Sequence, residues 1–127
     1  MILVIGGAYQ GKLELVFSWR GQDPDPVFYA DGGCDSWEAA TRKTIIYRFH
    51  EYLRRGLQEQ KDMNEWVKQL IYANPDFVIM DEVGYGIVPV EREDRIYREL
   101  VGYAGQQLAK EAEAVYRVVC GIPVKIK

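Results

Sequence analysis

Apolar residues in this chain fall into two kinds of stretch, short continuous runs and longer segments repeating at helical spacing. Ile2-Leu-Val-Ile5 is an unbroken run that enters Gly6, which reads as a buried strand. From Lys12 the spacing of Leu13, Val16, Phe17 and Trp19 predicts a short helix closed by Arg20-Gly21. Residues 22–26 hold two prolines and form a loop, after which Val27-Phe-Tyr-Ala30 predicts a second strand. Asp35 or Ser36 then caps a long helix reaching Arg54-Arg55-Gly56, with an apolar stripe from Trp37 and Ala40 to Tyr52 and Leu53. After a polar connection over 57–62, Met63, Trp66, Val67, Leu70 and Ile71 mark another helix, stopped by Asn74-Pro75. Phe77-Val-Ile-Met80 predicts a strand ending in Asp81-Glu82, followed by a glycine-rich loop to Pro89. A long helix is expected over 91–114 and a strand over 115–120, with a turn at Gly121-Ile-Pro123 before the last residues. Strands alternating with helices predict an α/β fold with a mostly parallel sheet and helices on both faces.

With 127 residues, the chain is expected to form one domain over 1–127. A net charge of −3 and the absence of Lys/Arg runs argue against nucleic acid and membrane surfaces as partners. No apolar run approaches the roughly 20 residues of a membrane span. Met1 leads straight into the first strand with no basic segment before it, so a cytoplasmic location is expected. Cys34 and Cys120 have no metal-ligand spacing; Cys120 reads as a buried strand residue. Trp19, Trp37 and Trp66 offer apolar surface for either core or interface.

The candidate chemistry begins with Gly6-Gly-Ala-Tyr-Gln-Gly-Lys-Leu13. G-x-x-x-x-G-K between a buried strand and a helix is the setting of a phosphate-binding P-loop, and it makes the expected fold P-loop NTPase-like. In such a loop the backbone of Gly6, Gly7, Ala8, Tyr9, Gln10 and Gly11 turns N–H groups toward phosphate oxygens. Lys12 reaches the terminal phosphates of ATP or GTP. Leu13 stands where the motif places a Ser or Thr hydroxyl on Mg²⁺, so the gap falls on the metal. Asp81 and Glu82, at the end of an apolar strand, resemble a Walker B element that holds Mg²⁺ directly or through water. Asp31 ends a strand ahead of two glycines and is either a base or metal-shell carboxylate near a substrate hydroxyl, or a turn residue. The lone histidine, His50, falls within the long helix, where such residues are usually structural.

Asp81-Glu-Val-Gly-Tyr-Gly-Ile-Val-Pro89 carries a more specific signal. It resembles a signature of the adenosylcobinamide kinase / adenosylcobinamide-phosphate guanylyltransferase family. Arg95, Arg98-Glu99, Gly102, Gln106, Ala109 and Gly121-Ile-Pro123 follow at matching spacings. Gly6 to Lys12 matches the family's loop, and the likeness is strong over 1–12 and 77–127. The resemblance implies a P-loop enzyme of cobalamin biosynthesis that phosphorylates a corrinoid-precursor hydroxyl with ATP or GTP and Mg²⁺. In the family a nucleophilic histidine then transfers a GMP unit. It also implies a homo-oligomer, with a trimer as the expected form. Taking the residue patterns and this likeness together, Lys12, Asp31 and Glu82 are the candidate catalytic residues, Gly6 to Leu13 the nucleotide loop, and Asp81 and Glu82 the candidate metal carboxylates.

Three departures are visible. Leu13 replaces the hydroxyl residue, Asp81 stands where the family has asparagine, and Gly105 replaces the asparagine before Gln106. The segment that carries the family's nucleophilic histidine is abbreviated, which weighs against guanylyltransferase activity. Two functional classes follow: a compact kinase-like enzyme, or a non-catalytic nucleotide- or phosphate-binding protein with a regulatory or assembly role. Lys12, Asp81 and Glu82 favour the first; Leu13 favours the second.

Overall fold

The computed structural model describes residues 1–83 and 91–127. Most of the glycine-rich loop after Val83, including Gly84, Gly86 and Pro89, therefore lies outside the described residues. The elements run β1 Ile2–Gly6, α1 Lys12–Trp19, a short 3-10 turn Pro26–Phe28, β2 Tyr29–Asp31, α2 Trp37–Ala40, β3 Ile45–Tyr47 and α3 Phe49–Gln58. They continue with α4 Met63–Ala73, β4 Phe77–Asp81, α5 Arg92–Glu111, β5 Ala114–Val119 and β6 Ile122–Lys125. The strands form one sheet in the order β2-β3-β4-β1-β5-β6, parallel throughout except for the β5–β6 hairpin. This is the α/β architecture the alternation of elements foretells.

Both faces of the sheet are covered, which is why its inner strands are continuous apolar runs. Neighbours along each strand go to opposite faces. Leu3, Ile46 and Val78 join one core, while Val4, Ile45 and Ile79 join the other. The larger core receives Trp37, Phe49, Tyr52, Leu53, Trp66, Leu70, Val101 and Leu108 from α2, α3, α4 and α5. The smaller is covered by α1 through Leu13, Val16 and Phe17. Rings complete that face: Trp19 lies 5.0 Å from Tyr116 and 6.0 Å from Phe77, and Tyr29 makes edge contacts with Phe17 and Tyr47. Trp37 and Trp66 are thus core residues, whereas Trp19 stays 41% exposed.

The structure departs from the sequence expectation in four places. The long helix expected to reach Gly56 is broken: α2 stops at Ala40, Ile45–Tyr47 forms β3, and α3 runs from Phe49 to Gln58. The chain turns out of α2 at Thr41-Arg42, where Arg42 N–H donates to the Ala39 carbonyl, and Arg48, left-handed (φ 49°), starts the new helix after β3. The β-branched pair Ile45-Ile46 also favours a strand. The second strand begins two residues late, because Asp25 accepts a hydrogen bond from Val27 N–H and caps a 3-10 turn at Pro26. The chain end is a strand: β6 includes Pro123, tolerated at a sheet edge where no donor is needed. Finally, Cys120 is exposed in the β5–β6 turn with φ 51°.

The seat of α1 on its face depends on Phe17, which is completely buried. Phe17→Ala should cost about 3–5 kcal/mol. By thermal denaturation this is a fall in Tm on the order of 10–20 °C.

Candidate phosphate site at the sheet's carboxyl edge

Parallel register brings the candidate groups together. β1 and β4 are neighbours, and Gly6 pairs with Asp81 across them. The loop after β1 and the carboxylate ending β4 therefore meet at one edge, and Glu82 N–H donates to the Gly6 carbonyl at 2.8 Å. Gly6 has no room for a side chain, because a Cβ would lie 2.6 Å from the Val118 carbonyl oxygen of the other neighbouring strand. Gly11 closes the loop in the left-handed region (φ 85°) as the N-cap of α1, and makes no side-chain cap. The first N–H groups of α1, without intrahelical acceptors, thus stand at the loop with the helix's partial positive charge. Gln10 ties the loop to the β5–β6 turn. Its carbonyl accepts from Gly121 N–H at 2.9 Å and its Oε1 accepts from Cys120 N–H at 2.6 Å. Tyr9, also left-handed (φ 60°), projects fully into solvent at the loop's tip.

Lys12 is 5% exposed and turned back under the loop. Its Nζ lies 2.7 Å from Asp81 Oδ1 and donates to the Gly7 carbonyl at 2.6 Å and the Gly6 carbonyl at 3.3 Å. Leu13 is buried in the apolar core with Val16, Phe17 and Val118. The position that would carry a hydroxyl carries core packing instead.

Asp81 has a second partner. Its backbone N–H donates to His50 Nδ1 at 3.1 Å, and His50 Nε2 sits 3.4 Å from Asp81 Oδ2. His50 is in the first turn of α3, 6% exposed, and its carbonyl accepts from the Tyr97 hydroxyl of α5. Burial pushes the imidazole pKa down against the opposing pull of Asp81 and Glu51.

Asp31 and Glu82 are placed differently. Asp31 forms a two-pronged pair with Arg48, both distances 2.8 Å, and accepts Gly33 N–H at 2.9 Å. Burial raises its carboxyl pKa, but the Arg48 guanidinium and the Gly33 N–H outweigh this and hold it below the usual range. Glu82 is drawn to β5, where Arg117 Nε lies 2.7 Å from its Oε1. A cleft of about 500 Å³ lies between the loop and the residues after β3 and β4. Lys12, Arg48, His50, Glu51 and Asp81 line it, while Asp31 reaches it only through Arg48. Among the described residues, no group of three His, Cys, Asp or Glu side chains converges as a metal cage.

Sequence reasoning did not assign Arg48 to the site, and it ranked His50 as structural. Both follow β3, the strand hidden in the expected helix. Reading Thr44-Ile-Ile-Tyr47 as a strand puts Arg48 and His50 at its carboxyl end, where ligands collect in parallel sheets.

The family of cobinamide kinase / cobinamide phosphate guanyltransferase matches residues 38–126. The chain belongs to this family. A 50-residue stretch is 50% identical to the bifunctional adenosylcobalamin biosynthesis protein CobU of Escherichia coli (strain K12), covering 39% of this chain and 28% of that protein. The CobU protein of Salmonella typhimurium (strain LT2) is 48% identical over 50 residues, with the same coverage. The match to these relatives thus spans little more than a quarter of their length. The family match takes in β3, β4 and β5 with His50, Asp81 and Glu82; the loop Gly6 to Leu13 precedes it. No helix among the described residues is long and apolar enough to cross a membrane.

The Asp31–Arg48 pair sets an acid limit. A carboxyl whose pKa is lowered on folding stabilises the fold above its unfolded value, and that contribution is lost as pH falls through the folded one. Asp31→Asn should therefore lower Tm at neutral pH, by about 1–2 kcal/mol of stability. The gap to the parent protein should close below about pH 4, when a melting series is run from pH 7 to pH 3.

Proposed function

We propose that this protein is a nucleotide-dependent, kinase-like member of its family that phosphorylates a corrinoid-precursor hydroxyl, working as one nucleotide-binding domain over 1–127. The observation that supports the reading most strongly is the Lys12–Asp81 contact of 2.7 Å at the mouth of the loop. It joins a phosphate-seeking cation to a metal-seeking carboxylate at the carboxyl edge of a parallel sheet.

In this reading the triphosphate of ATP or GTP lies over Gly6, Gly7, Ala8, Tyr9, Gln10 and Gly11, on backbone N–H groups and the start of α1. Lys12 leaves Asp81 for the terminal phosphates. Arg48, steadied by Asp31, offers a second cation from the opposite wall. Asp31 then serves through Arg48 and not as a base. Mg²⁺ is held by phosphates and one or two carboxylates more often than by a protein cage. A single freed Asp81 therefore fits it, with no hydroxyl at Leu13. When bound, the ion supplies charge neutralisation. Glu82 shapes the Asp81 end of β4 through its pair with Arg117. Positioning and charge stabilisation carry the transfer. The relatives' names describe a bifunctional adenosylcobalamin biosynthesis protein, and the same pathway is proposed here for the kinase half. A homo-oligomer, a trimer, in the cytoplasm completes the reading.

Burial of Leu13 in the core favours a second reading, a non-catalytic nucleotide or phosphate binder. Calorimetric titration of ATP and GTP with and without Mg²⁺, followed by a transfer assay with cobinamide, separates the two. The kinase reading expects binding that strengthens with Mg²⁺, phosphorylated cobinamide as product, and loss of both in Lys12→Ala. Lys12-dependent binding indifferent to Mg²⁺, without product, establishes the second; no binding of either nucleotide rejects both. Leu13→Thr is expected to increase the Mg²⁺ effect while costing about 2–4 kcal/mol of stability from the core.

A further inference from the structure

His50 is the chain's only histidine, and its ring is engaged at both nitrogens. Nδ1 accepts the Asp81 backbone N–H at 3.1 Å, so that nitrogen presents its lone pair to β4. In the neutral ring the proton then sits on Nε2, which faces Asp81 Oδ2 at 3.4 Å and Glu51 Oε1 at 3.6 Å. The Asp81 carboxylate is thereby divided: Oδ1 meets Lys12 and Oδ2 meets His50. The Tyr97 hydroxyl holds the His50 carbonyl from α5 at 3.2 Å, so α3, β4 and α5 converge on this one residue.

We infer that His50 is a positioning residue that fixes the Asp81 carboxylate, keeping Oδ1 aimed into the cleft when Lys12 leaves it for phosphate. The inference deepens the proposed phosphate site and rests on it for what Asp81 does there. With Lys12 gone, an unsupported carboxylate would rotate. Nε2, 3.4 Å from Oδ2, stands where it can hold that oxygen in place while the other becomes available to a cation arriving with the nucleotide. The same arrangement leaves no imidazole nitrogen with a free lone pair, so His50 does not attack phosphorus.

A single histidine makes the test direct. Selective ¹⁵N labelling of histidine and imidazole NMR at neutral pH should show one Nε2–H tautomer, whose Nε2 resonance moves on Asp81→Asn. An Nδ1–H tautomer, or averaging between tautomers, overturns the inference. These readouts need no nucleotide, so they judge the inference separately from the kinase reading. For function, His50→Ala is expected to raise the Mg²⁺ concentration that half-saturates its effect on nucleotide affinity by about tenfold. His50→Gln, which keeps a donor near the Nε2 position, should recover part of the loss; thermal melts of both variants confirm a retained fold. Equal Mg²⁺ dependence in parent, Ala and Gln proteins also overturns the inference.

Discussion

The contact between Lys12 and Asp81 depends on backbone register before it depends on side chains. β1 and β4 lie side by side in parallel, with Gly6 opposite Asp81. A shift of one residue would send the carboxylate to the other face of the sheet. Register is held because both faces are buried: Leu3 and Val78 belong to one core, Val4 and Ile79 to the other. The apolar runs of the inner strands therefore do two jobs. They supply the burial that stabilises the sheet, and they set the spacing at which the lysine that opens α1 meets the carboxylate that ends β4.

The two faces contribute unequally. α2, α3, α4 and α5 cover one side, and through β3 and α3 they deliver Arg48 and His50 to the cleft. The other side has α1 and a set of rings around Trp19, Tyr29 and Tyr116. The candidate phosphate loop hangs from that lighter layer. It is braced at Gly6 by β5, at Gln10 by the β5–β6 turn, and at Lys12 by Asp81. Leu13 faces the core with Val16 and Phe17, the buried apolar residues of this eight-residue helix. Family membership and the loop are complementary observations, since the matched residues begin after the loop ends.

Much of this was legible in the sequence, and the omissions have physical causes. Runs such as Ile2-Leu-Val-Ile5 and Phe77-Val-Ile-Met80 read as strands from their short length, their β-branched residues and the glycine-rich or acidic residues that mark their ends. The stretch from Trp37 to Leu53 satisfied helical spacing and strand composition at once, and spacing alone favoured the helix. What separates α2 from α3 is a turn at Thr41-Arg42, the short strand β3 and the left-handed backbone of Arg48, none of which breaks the helical spacing of apolar residues. With β3 hidden, Arg48 and His50 had no address at the sheet's edge. The two-pronged grip of Arg48 on Asp31 likewise requires β2 and β3 to be paired, a long-range fact that no local pattern encodes. Cys120 and Pro123 were misread because an edge hairpin and a terminal turn share the same residues.

In the proposed site Asp81 is a shared station, held by His50 and exchanged by Lys12 for phosphate. A crystal structure with a non-hydrolysable ATP analogue and Mg²⁺ tests it most directly. Phosphates are expected over Gly6 to Gly11, with Lys12 Nζ on the terminal phosphates and Asp81 separated from Lys12 with its His50 contacts retained. Phosphates bound elsewhere, with the Lys12–Asp81 pair intact, would contradict it.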